Sequence, residues 1–336
     1  RAFSILRVVA MSEGKDQGSE KPRPSSWVFI SEQDISAITA KTISAPFEYV
    51  KIVTQLRNES IRLGAIPSHG ATTWSILAAT WNAGPFGFFS GNGFNIIRYF
   101  PTLALNSRLK VWVYSMFFDP SSKPKDLWSK LSRALSGGLV AGLVMSITYP
   151  LDSLRTICAF QTAAMAVNPS YKPIVSQNPF LAIWDVLSSP GTSRLQMLYS
   201  GFGTTLCGIF VYRCTYFALY DTFKHRLLGK SSSFWSKFAF GYGITALSGT
   251  ITYPFDTIRR RMMVANITNA EYISSSHCVN QVFQEDNGMG AFFAGTLANI
   301  MRGFVATAVL TWFEERQKSK AKRRKSTGKK RNEGAG

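Results

Sequence analysis

One short motif occurs three times in this 336-residue chain and restricts its fold more than any other feature. Each copy has a proline, an acidic residue two positions later and a basic residue three positions after that. The prolines are Pro46, Pro150 and Pro254, so both intervals, 150 − 46 and 254 − 150, are 104 residues. A single match could arise by chance. Three matches in equal register predict one structural unit built three times.

Long uncharged stretches accompany the repeated motif. Three stretches of 18 residues contain no Asp, Glu, Lys or Arg: residues 134–151, 195–212 and 238–255. That length is close to what a membrane-spanning helix needs. Only 17% of the residues are charged and 46% are apolar, whereas soluble proteins have about a quarter of their residues charged. The composition therefore predicts a helical membrane protein with several spans.

Each repeat reads as two membrane helices joined by a polar loop. We therefore predict an all-α membrane protein with six transmembrane helices in three pseudo-symmetric two-helix repeats. The predicted divisions are a polar N-terminal extension (1–26), repeats at 27–125, 126–231 and 232–318, and a basic C-terminal tail (319–336). The expected odd-numbered helices cover about 27–56, 127–160 and 234–265, and the even-numbered helices end near 118, 225 and 317. The Arg-flanked apolar start of the extension fits the remnant of a mitochondrial targeting segment.

Several classes of function lack sequence support. The four cysteines, Cys158, Cys207, Cys214 and Cys278, form no pair or cluster typical of a disulfide framework or a zinc site. None of the three histidines has a catalytic spacing, so we expect neither an enzyme nor a metal or other cofactor. The net charge of +19 includes a basic run at 316–331, typical of a solvated tail or of a contact for anionic lipid or an acidic partner. Nucleic-acid binding is not expected, because no aromatic residues interleave that run.

The three motifs bring charge into apolar helices. The acid–base pairs are Glu48/Lys51, Asp152/Arg155 and Asp256/Arg259. Residues three apart lie on one helix face, and a proline kink just before each pair would tilt the three helix ends together. The pairs could then meet as a ring of six charges with zero net charge. A clamp that only holds the bundle together is the alternative for one pair, but three pairs in symmetry favour a gate.

Lone cations on the predicted helices indicate an anionic substrate. Lys41, Arg98, Arg213 and Arg302 have no acid within one turn of their own helix. Cations that face a bundle interior attract anions, and guanidinium groups suit phosphate through bidentate contacts. Tyr212 and Tyr216, one turn apart, could offer a flat face to a base. Core packing is an equal alternative for these tyrosines.

With these residues, the chain resembles the mitochondrial carrier family over residues 27–317, and within it the ADP/ATP carriers. The sequence Arg259-Arg-Arg-Met-Met-Val264 nearly matches the Arg-Arg-Arg-Met-Met-Met signature of those carriers, through Arg260, Arg261, Met262 and Met263. Residues 95–106 and 211–221 are also similar to their even-numbered helices. The resemblance implies exchange of ADP and ATP across the mitochondrial inner membrane by a multi-pass protein that alternates its access.

The resemblance also implies roles for single residues. Lys41, Arg98 and Arg302 match phosphate-contacting positions. Gly208, Ile209 and Tyr212 match an adenine pocket, with Arg213 and Tyr216 beside it, and Thr252 stands where the family has serine. The six-charge ring would be the matrix gate with Gln55 as a brace beneath it, and cardiolipin would be a bound lipid.

In the family, an outer gate is formed by one aromatic-acid-x-x-Lys element in each repeat. The chain departs from this pattern. Tyr220, Asp221 and Lys224 complete one element, the first repeat has Val111 and Tyr114 at the charged positions, and the third has Glu314 with Gln317. The base that the family has before one glycine of each repeat, here Gly91, Gly201 and Gly295, is replaced by Ser90, Ser200 and Ala294. The first helix also has the polar entry Glu32-Gln33-Asp34.

Two hypotheses remain from the sequence. The retained binding residues and the complete inner ring favour an adenine-nucleotide exchanger. The incomplete outer gate, the polar entry to the first helix and the basic tail favour a carrier-fold protein that serves as a structural subunit of a larger inner-membrane complex, of the respiratory chain or the ATP synthase, with reduced transport or none. Its partners would then include the other subunits as well as nucleotides and membrane lipid.

Overall fold

The computed structural model describes residues 32–67, 71–117, 127–188, 198–227, 234–267, 272, 274–285 and 288–333. The predicted N-terminal extension lies outside these residues. The described residues form helices and turns. The helices are α1 (Glu32–Arg62), α2 (Thr73–Ala83), α3 (Asn92–Phe117), α4 (Leu127–Val167), α5 (Pro179–Ser188), α6 (Phe202–Leu227), α7 (Phe234–Ile251), α8 (Tyr253–Ile267), α9 (Ser275–Phe283), α10 (Met289–Phe292) and α11 (Thr296–Glu333).

The long helices form a closed ring. Going round it, α1 packs on α3, α3 on α4, α4 on α6, α6 on the consecutive helices α7 and α8, α7 on α11, and α11 again on α1. The shorter helices α2, α5 and α9 connect the two long helices within each repeat. The fold is therefore the predicted one, with six long helical segments in three two-helix repeats.

The motif prolines affect the first long helical segment of each repeat differently. Pro46 and Pro150 lie inside the continuous helices α1 and α4, whereas the third segment breaks at Thr252 into α7 and α8, two residues before Pro254. Proline has no N–H for the helical ladder and disfavours helical backbone just before it. The prediction of one helix over 234–265 was therefore wrong at this point, although the two pieces follow each other directly.

A glycine in left-handed conformation precedes the second long helix of each repeat, which is α3, α6 or α11. Gly91, Gly201 and Gly295 have φ values of 75°, 74° and 84°. A Cβ on each would come within 2.8, 3.0 and 3.1 Å of a main-chain carbonyl oxygen, that of Arg155, Arg259 and Lys51 respectively. Each glycine thus lies against the basic residue of the next repeat's motif. Both the positive φ and the close contact require glycine.

Two helical segments within the described residues are long and apolar enough to cross a membrane by length and composition alone, Leu135–Val167 and Met289–Gln317. A third apolar helix, Phe238–Ile251, is shorter. The other long helices carry charged residues towards the bundle interior, as α1 does with Glu48 and Lys51. Such charges lower the apolarity of a helix but are tolerated where they face one another inside a bundle.

The last helix extends further than the sequence analysis predicted. We expected it to end near Gln317 and to be followed by a basic tail, but α11 continues to Glu333. Lysine, arginine and alanine are good helix formers, and extending an existing helix avoids the cost of nucleating a new one. Much of the basic run is therefore helical.

Candidate functional site

The three motifs meet at one level of the bundle and form a closed ring of ion pairs. Each acid pairs with the base of the following repeat, and the third acid returns to the first. The nitrogen–oxygen distances are 3.0 Å for Glu48–Arg155, 2.9 Å for Asp152–Arg259 and 2.7 Å for Asp256–Lys51. The sequence predicted that these six residues would meet, and the geometry shows which acid meets which base.

A buried glutamine supports the ring from the next helical turn. The Nε2 atom of Gln55 donates to Oδ2 of Asp256 and to the hydroxyl of Thr257, both at 3.2 Å. Gln55 lies seven residues after Glu48, so the two share a face of α1. Its placement fits the brace that the resemblance implies.

A seventh charged residue, Arg260, crosses the ring. Its guanidinium lies 3.3 Å from Glu48 and 3.3 Å from Asp256, and it donates to the hydroxyl of Thr156 at 3.2 Å. It is buried. The sequence placed Arg260 only in a signature and did not predict these contacts. Its position directly after a ring residue on the same helix was the available signal.

Two cations that lacked an acid on their own helix are paired with ring acids from other helices. Arg98 Nη1 lies 3.2 Å from Asp152 Oδ1, and Arg302 Nη1 lies 3.4 Å from Glu48 Oε2. The expectation of unpaired cations was therefore wrong for these two, because spacing along one helix does not reveal neighbours on another. Their side chains remain 23% and 36% exposed.

Lys41 lies on α1 beside helix α3. Its ammonium donates to Oδ1 of Asn95 at 3.4 Å and sits 5.2 Å from the ring centre of Tyr99. Tyr99 in turn donates its hydroxyl to Asp34 at 3.0 Å. Lys41 is thus held by an amide and an aromatic face.

The predicted base-binding residues lie on α6. Tyr212, Tyr216 and Tyr220 form a column with ring-centre distances of 6.1 and 6.0 Å. Tyr216 is only 5% exposed and packs with Phe240 and Ile244, which favours core packing for this tyrosine. Tyr212 is partly exposed and remains a candidate surface for a base.

The other predicted substrate-binding residues in this part of the bundle also differ in their exposure. Gly208 and Ile209 are partly exposed, as is Arg213, and a Cβ on Gly208 would come within 3.1 Å of Cβ of Phe255. The hydroxyl of Thr252 donates to the carbonyl of Ser248 at 3.0 Å. Thr252 therefore stabilises the helix break between α7 and α8.

At the opposite end of the bundle, the ammonium of Lys224 lies 5.1 Å from the ring centre of Tyr220. Val111 is exposed, and Tyr114, Asp221, Glu314 and Gln317 are partly exposed. These residues are more exposed than most residues of the inner ring.

Beyond the inner ring, the first and third repeats are joined by a polar junction that the sequence analysis missed. Tyr272 donates its hydroxyl to Glu59 at 2.6 Å, and the Arg62 guanidinium lies 4.6 Å from the centre of the Tyr272 ring. Burial, and then the Glu59 carboxylate, raises the pKa of Tyr272. Nearby, Glu285 accepts from Asn58 of the first repeat and pairs with Arg261, the third arginine of the signature. We call these six residues, Asn58, Glu59, Arg62, Arg261, Tyr272 and Glu285, the 1–3 junction.

Two signature residues, Met262 and Met263, are buried. Met262 packs with Cys278 beside the 1–3 junction. Burial raises the pKa of the Cys278 thiol to about 12. Both methionines therefore serve packing in this conformation.

A separate cleft of about 350 Å³ lies between the first and second repeats, where α3 and α5 begin. Gly91, Gly93 and Pro179 line it. Ser90, which stands where the family has a base, contacts the hydroxyl of Thr162 at 2.7 Å and donates to Gln177 at 3.0 Å. Here the serine links the two repeats through hydrogen bonds within the protein.

Comparison with known proteins decides the family. The family model described as mitochondrial carrier protein matches three consecutive segments, residues 34–120, 128–231 and 230–325. The chain belongs to the mitochondrial carrier family. Its six-helix ring is the mitochondrial carrier fold, and the family consists of transporters.

Among curated mitochondrial carriers, the chain is similar to proteins named for ADP and ATP. It is 35% identical to the ADP,ATP carrier protein of Parachlorella kessleri over 286 residues, covering 83% of this chain and 80% of the relative. It is 34% identical to ADP,ATP carrier protein 1 of Saccharomyces cerevisiae, with 84% and 90% covered. It is 32% identical to ADP/ATP translocase 4 of Bos taurus, with 84% and 85% covered.

Proposed function

We propose that this mitochondrial carrier exchanges ADP and ATP across the mitochondrial inner membrane by alternating access. The observation that carries the proposal is the excess of positive charge at the inner ring. The three ring acids are surrounded by six bases, which are the three ring bases plus Arg98, Arg260 and Arg302. The difference, 6 − 3, leaves three positive charges. A polyphosphate with about the same number of negative charges is a fitting ligand.

The pairing of Arg98 and Arg302 suggests how substrate acts on the gate. Both are partly exposed, and both pair with ring acids. A phosphate that binds these guanidinium groups competes with Asp152 and Glu48 for them. Because each acid loses one of its basic partners, nucleotide binding weakens the network that holds the gate closed. A ligand shifts the equilibrium between the closed and the open gate only if it binds one of these states more tightly than the other.

The nucleoside end of the substrate has a candidate surface on α6. Gly208 packs closely against Phe255, since a Cβ on the glycine would come within 3.1 Å of Cβ of Phe255, and Ile209 and Tyr212 are partly exposed near it in sequence. A flat apolar base can stack on an aromatic ring and pack against an aliphatic side chain. We propose that Lys41, Arg98 and Arg302 contact the phosphates while Gly208, Ile209 and Tyr212 contact the base, with Arg213 beside them.

Exchange by the purified protein tests this function. Labelled ADP is supplied to liposomes that contain the purified chain and internal ATP, and the same measurement is made with Arg98→Ala and Arg108→Ala. Arg108 is the matched control, because it is an exposed arginine ten residues further along the same helix α3. Exchange by the wild type that is lost in Arg98→Ala and kept in Arg108→Ala supports the proposal. A folded wild-type chain that exchanges no adenine nucleotide contradicts it.

A second function, as a structural subunit of an inner-membrane complex, is favoured by helix α11. It continues for 16 residues beyond Gln317, 333 − 317, through a basic sequence, and an acidic subunit surface would be a fitting neighbour. In native gels of mitochondria, the full chain should then migrate with a large complex, and a chain truncated after Gln317 should not. Migration of both forms at the size of the free carrier contradicts this role.

Cardiolipin is the lipid that we propose for the cleft between the first and second repeats. The beginnings of α3 and α5 lie there, and helix N-termini attract anions. Because Ser90 replaces a basic residue, binding should be weaker than at a charged site. Thermal unfolding with and without cardiolipin measures this, and no stabilisation by the lipid contradicts the assignment.

A further inference from the structure

Four polar residues at seven-residue intervals form one stripe along α1. They are Asp34, Lys41, Glu48 and Gln55. Seven residues correspond to nearly two helical turns, so these side chains lie on one face. Glu48 and Gln55 belong to the inner ring and its brace. The stripe therefore continues from the ring along the same side of the helix, past Lys41, to Asp34.

Asp34 is connected to Lys41 through one residue of the neighbouring helix. Asp34 is 5% exposed and accepts the hydroxyl hydrogen of Tyr99 at 3.0 Å. The ring of the same tyrosine carries the Lys41 ammonium on its face, at 5.2 Å. A buried carboxylate inside a membrane helix is costly and is a candidate for a functional role.

We propose that Asp34 determines substrate specificity by charge. Its carboxylate places a negative charge beyond Lys41, on the side away from the inner ring, and opposes each additional negative charge on a bound nucleotide. The chain should therefore prefer the less charged nucleotide more strongly than it would without Asp34. This inference rests on the proposed exchange of nucleotides and adds a determinant of the choice between diphosphate and triphosphate.

The size of the effect follows from distance and solvent. Asp34 and Lys41 are seven residues apart, which is about 10 Å along a helix. At about 10 Å, one added charge on the ligand changes its affinity by roughly twofold in bulk water and by roughly tenfold or somewhat more at an effective dielectric constant of about 20. A partly hydrated cavity lies between these limits. We therefore expect a change of about two- to tenfold in the preference between ADP and ATP.

The alternative role of Asp34 is to position Tyr99, and substitutions can separate the two roles. Asp34→Asn removes the charge but keeps an oxygen that can accept from Tyr99. Tyr99→Phe removes the hydrogen bond and keeps both the carboxylate and the aromatic face. Asp34→Glu keeps the charge. If charge matters, only Asp34→Asn changes the preference between nucleotides.

The measurement is the KM of ADP and of ATP for uptake into liposomes, made at low ionic strength for wild type and the three variants. We expect Asp34→Asn to lower the KM of ATP relative to that of ADP by about two- to tenfold, and added salt should reduce this change. Asp34→Glu and Tyr99→Phe should keep the wild-type ratio even if both KM values move together.

An unchanged ratio in Asp34→Asn, or a proportional rise of both KM values, overturns the inference and assigns Asp34 a structural role. If the asparagine variant does not fold, Asp34→Ser removes the same charge with a smaller side chain and is measured in its place. A wild-type protein without exchange contradicts the proposed function. Wild-type exchange with an unchanged ratio in the variant contradicts only the role of Asp34.

Discussion

Lys51 in the first repeat lies 2.7 Å from Asp256 in the third, and this ion pair closes the ring that the other two pairs leave open. Lys51 and Asp256 differ in the further polar contacts that they make. Lys51 also donates to Asn299, whereas Asp256 has two further basic neighbours, Arg259 at 3.1 Å and Arg260 at 3.3 Å. Asp256 therefore has three basic partners, whereas Lys51 has one acidic partner among the described residues.

This asymmetry predicts that replacing Asp256 is more damaging than replacing Lys51. Asp256→Asn leaves three bases around a neutral amide, of which Lys51 and Arg260 are buried, and removing one partner of a buried ion pair costs about 3–5 kcal/mol. Lys51→Met leaves Asp256 with two arginines and keeps an unbranched apolar chain of similar length. Thermal unfolding in detergent should therefore show a larger fall in Tm for Asp256→Asn. Equal falls in Tm for the two variants would contradict the larger contribution of Asp256 to stability.

Much of the ring could be predicted from the sequence because it depends on two regular quantities. The 104-residue period identifies the repeats, and the three-residue spacing places each acid and base on one helix face. By contrast, the pairs Arg98–Asp152 and Arg302–Glu48 depend on how different helices are rotated against each other. No spacing along one helix contains that information.

The 1–3 junction shows the same limit more strongly. Glu59 and Tyr272 are 213 positions apart, and neither belongs to the repeated motif. The break at Thr252 was missed for a different reason. All three motifs contain proline, and whether proline bends a helix or interrupts it depends on local packing.

A second prediction concerns the glycines that precede the second long helix of each repeat. Gly91→Ala should destabilise the protein by more than about 1 kcal/mol, because the new Cβ meets the carbonyl of Arg155 at 2.8 Å and the φ of 75° is unfavourable for alanine. Gly203→Ala is the matched control. It lies inside α6 with no atom within 4 Å of the added Cβ, so alanine should be neutral or stabilising by up to about 1 kcal/mol.

Thermal unfolding of the two alanine variants measures the difference. The Tm of Gly91→Ala should fall, and that of Gly203→Ala should stay at or above the wild-type value. A Gly91→Ala protein as stable as wild type would show that the close approach of the first and second repeats is not needed.

A third prediction concerns Arg302, which we place at the phosphates. Arg302→Ala should raise the KM for ADP by about ten- to a hundredfold, because a hydrogen bond to a charged group contributes about 1.5–3 kcal/mol. Arg316→Ala is the control on the same helix. Arg316 is exposed and lies 5.3 Å from the ring centre of Trp312. Uptake by liposomes at several ADP concentrations gives both KM values, and similar values for the two variants would remove Arg302 from the binding site.

The last prediction uses Cys278 to report on the 1–3 junction. The thiolate is the reactive form of cysteine, and burial raises the pKa of Cys278 to about 12 from an ordinary value of about 8.5. At neutral pH this difference lowers the thiolate fraction by roughly three orders of magnitude. In a variant with Cys278 as the remaining cysteine, reaction with N-ethylmaleimide should be correspondingly slow. It should accelerate about tenfold per pH unit between pH 7 and 9, because the thiolate fraction rises with pH below the pKa.

Loosening the 1–3 junction should then speed the reaction at constant pH. Tyr272→Phe removes the hydroxyl that donates to Glu59 while keeping the ring against Arg62, so the region around Cys278 should open more often without losing its apolar packing. The same hydroxyl lowers the pKa of Cys278 through a hydrogen bond, so its loss alone would slow the reaction, and a faster reaction therefore reports the opening. A variant with only Cys207, which is exposed on α6, is the control and should react at the same rate with or without Tyr272→Phe. If Tyr272→Phe leaves the Cys278 rate unchanged or slows it, opening of the junction does not govern the reaction, and the hydrogen bond to Glu59 is not what holds the two repeats together. If both cysteines react faster, the substitution has loosened the whole bundle rather than this junction.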